Sequence, residues 1–147
     1  MKFFAIVLFL SGALLTGCGS KETELAPQIK SLIGNWKLVE PDSSYAVTLQ
    51  IEYDSANPPH DVTPFLVNGK SAVNDYNLRL FAAIDGMMSA DNLSSTKKAG
   101  SPEAMKFEQT YFTNLRAVVR YELLTEKRLR LLHGGEQPHV LVYEKVN

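Results

Sequence analysis

Apolar and polar residues alternate with a period of two in several stretches of this chain, and the alternation predicts most of its strands. Val47, Leu49, Ile51 and Tyr53 take turns with Thr48, Gln50 and Glu52, as a strand with one buried face requires. From Asn77 to Ile84 the residues Leu78, Leu80, Ala82 and Ile84 face away from Arg79, Phe81 and Ala83, and Asp85-Gly86 follows as a hairpin turn. Tyr121-Glu122-Leu123, Arg128-Leu129-Arg130-Leu131 and Val140-Leu141-Val142-Tyr143 predict three closing strands, with turns at Glu126-Lys127 and Gly134-Gly135. Trp36-Lys37-Leu38-Val39 forms a short strand after Gly34-Asn35 and sends the single tryptophan into the core. Phe65-Leu66-Val67 forms another, closed by a turn at Asn68-Gly69, and a less regular strand falls within Met87–Leu93. Residues 54–64 contain Asn57-Pro58-Pro59 and Pro64, which cannot donate to a ladder, and read as a loop.

The period changes once. Ala104, Phe107, Tyr111, Leu115 and Val118 recur at three and four residues, the spacing of one helical stripe. Ser101 caps this helix, Pro102 suits its first position, and Glu103 complements the positive end of its dipole. Strands joined by short turns, with one helix interrupting them, predict an α+β fold, an antiparallel sheet packed on a single helix. A parallel sheet would need more crossovers.

The N-terminus follows a different pattern. Lys2 leads an apolar run from Phe3 to Leu10, too short with its continuation to Leu15 to span a bilayer, and small residues follow it. Leu15-Thr16-Gly17-Cys18 resembles the bacterial lipobox, in which the cysteine is acylated and the chain is cut before it. The organisation expected is a lipoprotein signal peptide over 1–17, a flexible tether over 18–28 and one domain over 29–147. Cys18 is the only cysteine, so once acylated it leaves the domain without a disulfide. A membrane partner through the lipid on Cys18 follows, with the bacterial cell envelope as location. Gly19 after the cysteine, rather than aspartate, favours the outer membrane if the source is Gram-negative.

Composition narrows the function less. A content of 45% apolar residues suits a globular domain, and a formal net charge of -1 argues against nucleic acid as a partner. His60, His133 and His139 lack metal-site spacing and read as solvated turn residues, so no metal and no cofactor are expected. Ser94 and Ser95 lie in no nucleophile elbow, and Asp85, Asp91 and Glu103 sit where turns and helix starts account for them. Lys97, Lys98, Arg116, Arg120, Arg128 and Arg130 could form a basic face, although Arg128 and Arg130 alternate with leucines as an outer strand face does. Phe107, Tyr111 and Phe112 could line a cavity between helix and sheet, or simply pack the core.

Over most of the chain after the tether, the sequence resembles the META domain family, which includes HslJ-like envelope proteins. Gly34-Asn35-Trp36-Lys37-Leu38 is similar to the family's leading strand, and Asn68-Gly69-Lys70-Ser71-Ala72-Val73-Asn74-Asp75-Tyr76 to its central segment. Leu93-Ser94-Ser95-Thr96-Lys97-Lys98-Ala99 resembles the segment before the helix, and the closing strands keep the family's order. The resemblance implies a curved antiparallel sheet of about seven or eight strands on one helix. It marks Trp36, Asn74, Tyr76 and Thr96 as structural motif residues, Asn74 tying down a turn. Many members carry a cysteine before the asparagine and another before the helix. Val73 and Gly100 stand at those positions here, as a dispensable link lost in full would leave them.

The resemblance implies a non-enzymatic envelope protein associated with stress tolerance, and the expectation for function is a monomeric binding or structural lipoprotein of that kind. An envelope protein is its possible partner. The alternative is a small hydrophobic-ligand binder using the gap between helix and sheet, near Phe107, Tyr111 and Trp36.

Overall fold

The computed structural model describes residues 24–57, 60–134 and 139–147. The expectations for the signal peptide, the lipobox and Cys18, and for Gly135 in the last turn, lie outside these residues. The elements are α1 (Pro27–Leu32), β1 (Gly34–Glu40), β2 (Thr48–Tyr53), β3 (Thr63–Lys70), β4 (Asp75–Ala82) and β5 (Met88–Ser95). They continue with α2 (Pro102–Arg116), β6 (Val118–Thr125), β7 (Arg128–His133) and β8 (His139–Val146).

The strands form one eight-stranded antiparallel sheet in the order β5-β4-β3-β2-β1-β8-β7-β6. First and last strands pair, Leu38 opposite Tyr143, so β1 lies inside the sheet. The sheet curls into a half-barrel whose two edges meet at one point, where Met87 bridges Arg120 and the Tyr121 amide donates to the Gly86 carbonyl at 2.8 Å. β5 and β6 are also the strands joined through α2, so the helix packs beside the seam that they leave. Its Tyr111, Phe112 and Leu115 share one core with Trp36, Leu49, Leu80, Leu131 and Tyr143. The α+β plan and the curled sheet agree with the sequence expectation.

Alternation is carried into burial where it was clearest. β2 buries Leu49 and Ile51, β4 buries Tyr76, Leu78, Leu80 and Ala82, and β7 buries Leu129 and Leu131. The Ser101 hydroxyl accepts from the Ala104 amide at 3.2 Å, which caps α2 as expected. Trp36 is fully buried, its indole N–H donating to the Leu32 carbonyl at 2.9 Å.

Other expectations change. Asn68-Gly69 is no turn: both residues lie inside β3, and the connection to β4 is Ser71–Asn74. Gly69 is required because the Tyr76 ring lies over it, against the Thr48 carbonyl, where a Cβ would stand. Pro64, read as loop, is a buried residue of β3. It lies just beyond the last β2–β3 pair, Tyr53 opposite Phe65, so β2 does not need the donor it lacks. Ile84 is not on the buried face of β4, which ends at Ala82; it is exposed in the following turn. The helix is not single, because Pro27–Leu32 forms α1. Pro27 and Gln28, read as tether, belong to it, and Leu25 and Ala26 pack on the core. Phe107 is only half-buried, Val118 starts β6, and α2 buries Glu108 and Phe112 in their place.

Candidate functional site

The surface around α2 carries two grooves with a buried polar hub between them. The first groove, about 380 Å³, is floored by Leu38 and Leu141 of the sheet, Pro41, and Phe107 and Tyr111 of the helix. Asp42, Glu103 and Lys106 stand at its polar rim. Tyr45 packs on Phe107 with ring centroids 4.7 Å apart, which holds the half-buried phenylalanine in place. Phe107 and Tyr111 thus meet in the helix–sheet gap as the sequence suggested, whereas Trp36 does not line it.

The second groove, about 730 Å³, runs between α2 and the segment Ser95–Ala99. Lys97, Lys106 and Arg116 line it, and among the described residues they form no ion pair. The remaining cations of the supposed basic face are engaged. Lys98 pairs with Asp75 at 2.7 Å, Arg128 with Glu40 at 2.7 Å and Glu144 at 3.1 Å, and Arg130 with Glu122 at 2.9 Å. Arg120 donates to the Asp85 carbonyl at 2.9 Å, so the six residues do not form one basic face.

Asn74 is the centre of the hub. Its side-chain oxygen accepts from the Thr96 hydroxyl and the Lys98 amide, each at 2.7 Å. Its NH2 donates to Glu108 Oε1 at 2.6 Å and to the Lys98 carbonyl at 3.4 Å, so all four of its hydrogen-bonding positions are used. Glu108 Oε2 accepts from the Asn74 amide at 2.8 Å, the Val73 amide at 3.1 Å and the Ser71 hydroxyl. Burial pushes the Glu108 carboxyl up, but the donors from Ser71, Asn74 and Val73 outweigh it and hold it below the usual carboxylate range. The hub therefore ties the β3–β4 turn, the strand-to-helix segment and α2 together. Thr96 extends it, accepting from the Asp75 amide at 3.2 Å.

A chain of buried phenols adjoins the hub. Tyr76 and Tyr111 hydroxyls are 2.8 Å apart, and those of Tyr111 and Tyr143 are 3.0 Å apart. Tyr76 is also 2.8 Å from the Thr48 carbonyl, which can only accept. That fixes the direction of the chain: Tyr143 donates to Tyr111, Tyr111 to Tyr76, and Tyr76 to Thr48. Burial drives all three phenols above their ordinary range, so they stay neutral donors.

His133 corrects the reading of solvated turn histidines. It is a buried residue of β7, stacked on His139 of β8 with ring centroids 5.5 Å apart. Burial first, then the charge of His139, pushes His133 down. Among the described residues no group of three or more potential ligands could hold a metal. Asp85, Asp91 and Glu103 are not brought together; Asp85 accepts from the Met87 amide and Asp91 from the Asn92 amide. Ser94 donates to Asn77 at 3.0 Å.

Val73 and Gly100 are neighbours. A Cβ on Gly100 would stand 3.4 Å from the Val73 Cβ and 2.5 Å from its Cγ2, so the valine methyl fills the space a second side chain would use. Sequence reasoning missed Glu108, the hub's carboxylate. The available signal was its position, four residues after Ala104 and four before Phe112 on the buried face.

The comparisons agree with this architecture. The sequence profile of the META domain matches residues 30–146. No curated protein matches the chain. Among solved structures, an NMR structure of a protein from Burkholderia xenovorans is similar, with a TM-score of 0.58 and 16% identity, covering 88% of this chain and 97% of that one. At that identity the likeness concerns the fold. With the profile spanning most of the chain and the sheet, helix and Asn74 segment in the order described, the chain belongs to the META domain family.

Proposed function

We propose that the protein is a lipid-anchored, non-enzymatic module of the bacterial envelope that takes a small hydrophobic ligand in the groove between α2 and the β1–β8 part of the sheet. The observation that carries this reading is the groove itself. Its volume of about 380 Å³ falls in the range of small-molecule sites, roughly 300–1,000 Å³, and its apolar floor with polar groups at the rim is the usual build of one. Capture of apolar compounds there would serve tolerance of envelope stress. The buried hub and the phenol chain beside the groove are committed to the fold. Glu108 is saturated by donors and the three tyrosines donate along a closed chain, so neither set offers a free acid or base to a bound molecule. Anchoring rests on the charge-led apolar run and Leu15-Thr16-Gly17-Cys18.

Two experiments test the two halves. Cys18→Ala should abolish palmitate labelling and membrane retention; a variant that still took up labelled palmitate would refute the anchor. For the groove, the chain from Gly19 onward retains every core residue buried among the described residues and can be titrated with N-phenyl-1-naphthylamine, a neutral fluorescent probe. Saturable binding is expected, and Thr110→Trp, an exposed helix position on the groove, should abolish it without lowering the melting temperature. Binding that does not saturate, or that survives Thr110→Trp unchanged, removes the ligand assignment.

A further inference from the structure

We infer that the end of the half-barrel carrying α1 lies against the bilayer, with Ile84 and Met87 in contact with lipid and the grooves beside α2 turned away from it. The inference rests on the reading that Cys18 is acylated. α1 precedes Gly34, the first residue of β1, and the Gln28 side chain donates to the Ile84 carbonyl at 3.3 Å, so the tether leaves beside the β4–β5 turn.

Strand pairing shows what else stands at that end. Thr63 opposite Ala82, Ala82 opposite Met88 and Asn35 opposite Val146 place Val62, Ile84, Met87 and Val146 there. All four are exposed, Ile84 at 64% and Met87 at 60%. Single exposed apolar residues need no explanation, but a gathering at the end where a lipid tether emerges does. Of the cations nearby, Lys30 is engaged by Glu24, Arg128 by Glu40 and Glu144, and Lys145 by the Ser31 carbonyl and the Trp36 ring, whereas Lys127 of the β6–β7 turn forms no ion pair among the described residues. The contact made by Ile84 and Met87 is apolar and is tested on zwitterionic lipid.

The chain between anchor and fold is short. Six peptide steps lead from Cys18 to Glu24, and at about 3.5 Å each they keep Glu24 within about 21 Å of the acylated residue. Pro41 and Asp42, beyond the end of β1 opposite Gly34, line the first groove, and the segment Ser95–Ala99, at the end of β5 opposite Met88, lines the second. The grooves accordingly open away from the α1 end, toward the aqueous compartment, where a ligand or a partner can enter.

The experiment uses the full lipidated chain in phosphatidylcholine vesicles. Cys18 is the only cysteine and its thiol is acylated, so Met87→Cys and Gln109→Cys each offer one site for a nitroxide label. Both positions are exposed in the protein. Flotation with the vesicles is measured first, then collision with oxygen and with a nickel chelate by electron paramagnetic resonance. Nickel access at the residue 87 label is expected to be at least threefold lower than at the residue 109 label, and Ile84→Glu should restore it while the chain still floats. A chain that floats with both labels equally open to nickel, or with residue 109 the shielded one, overturns the orientation and leaves the anchor standing. Shielding at residue 87 that disappears on dilution with lipid would assign the surface to a second copy of the chain instead. A chain that does not float overturns the anchor, and the inference with it.

Discussion

Replacing Asn74 by aspartate changes one NH2 to an oxygen without changing shape, and the hub makes its consequence calculable. The group that changes donates to Glu108 Oε1 at 2.6 Å, so Asn74→Asp sets two carboxylates face to face. At about 3 Å and an effective dielectric constant of about 20, their repulsion is roughly 5 kcal/mol. The protein can escape part of this by binding one shared proton, which costs about 1.4 kcal/mol for each pH unit above an ordinary carboxylate pKa of about 4. That sets a ceiling of roughly 4–5 kcal/mol at pH 7.5 and roughly 1–2 kcal/mol at pH 5. Repulsion exceeds the ceiling at both, so the ceiling decides. Urea unfolding of variant and wild type, followed through Trp36 fluorescence, should show a destabilisation about 3 kcal/mol smaller at pH 5 than at pH 7.5. Asn74→Ala supplies the control: it removes the same bonds without adding a charge, and its cost should be similar at both pH values. An Asn74→Asp penalty that ignores pH, or stays below about 1 kcal/mol at pH 7.5, would falsify the carboxylate-centred hub.

Four other outcomes follow from the same geometry. Val73→Cys with Gly100→Cys, in a background where Cys18 is acylated or replaced, should close a disulfide detectable by thiol titration. The 3.4 Å Cβ separation is close to the usual lower bound of about 3.5 Å, and the gain in denaturant stability should be about 3 kcal/mol, lost on reduction. Gly100→Ala alone should destabilise, because its methyl meets Val73. The phenol chain predicts that Tyr76→Phe costs about 2–3 kcal/mol, leaving the Thr48 carbonyl and the Tyr111 proton without partners, and Tyr143→Phe only about 1 kcal/mol; equal costs would contradict the direction of donation. His133 is held below its ordinary pKa, so the folded state binds fewer protons than the unfolded chain. Stability from this group is present at neutral pH and falls as pH drops below about 6.5; His133→Gln should flatten that slope in urea titrations between pH 7.5 and 5.5.

The strands that were legible are those with one face in the core and one in solvent. β2, β4 and β7 announce themselves because burial alternates along them. β5 does not, since it buries Met88 but little beyond it, and it carries an irregularity opposite Asn77 and Arg79, with Asn92 at a φ of 55°. Such a bulge on an edge strand discourages pairing with another chain, and it also erases the period by which the strand could be read. α1 was hidden for a different reason. Its six residues have no side-chain cap, and its hold on the fold comes from burying Ile29 and Leu32 and from the bond between Trp36 and the Leu32 carbonyl. Those are tertiary contacts, absent from any local pattern.

The hub shows a subtler limit. Asn74 and Thr96 could be singled out by resemblance, but the carboxylate that gives them their arrangement lies on a helix face assigned by apolar spacing, where a glutamate counts as a break. Shifting the stripe to Ala104, Glu108, Tyr111, Phe112 and Leu115 turns the break into the centre of the buried face. A buried carboxylate is tolerable only with donors in place, and here they come from Ser71, Val73 and Asn74 of one turn. The same turn carries Val73 against Gly100, the two positions at which the family resemblance implies a cysteine pair. In this chain the link between the β3–β4 turn and the start of α2 is therefore made by hydrogen bonds to Glu108 and by a valine methyl. That explains how a domain with no thiol of its own can keep the helix where the groove requires it. It also predicts that the engineered disulfide and the hub act on one contact: with Val73 and Gly100 replaced by bridged cysteines, Asn74→Ala should cost measurably less than in the wild-type background, whereas independent contributions would simply add.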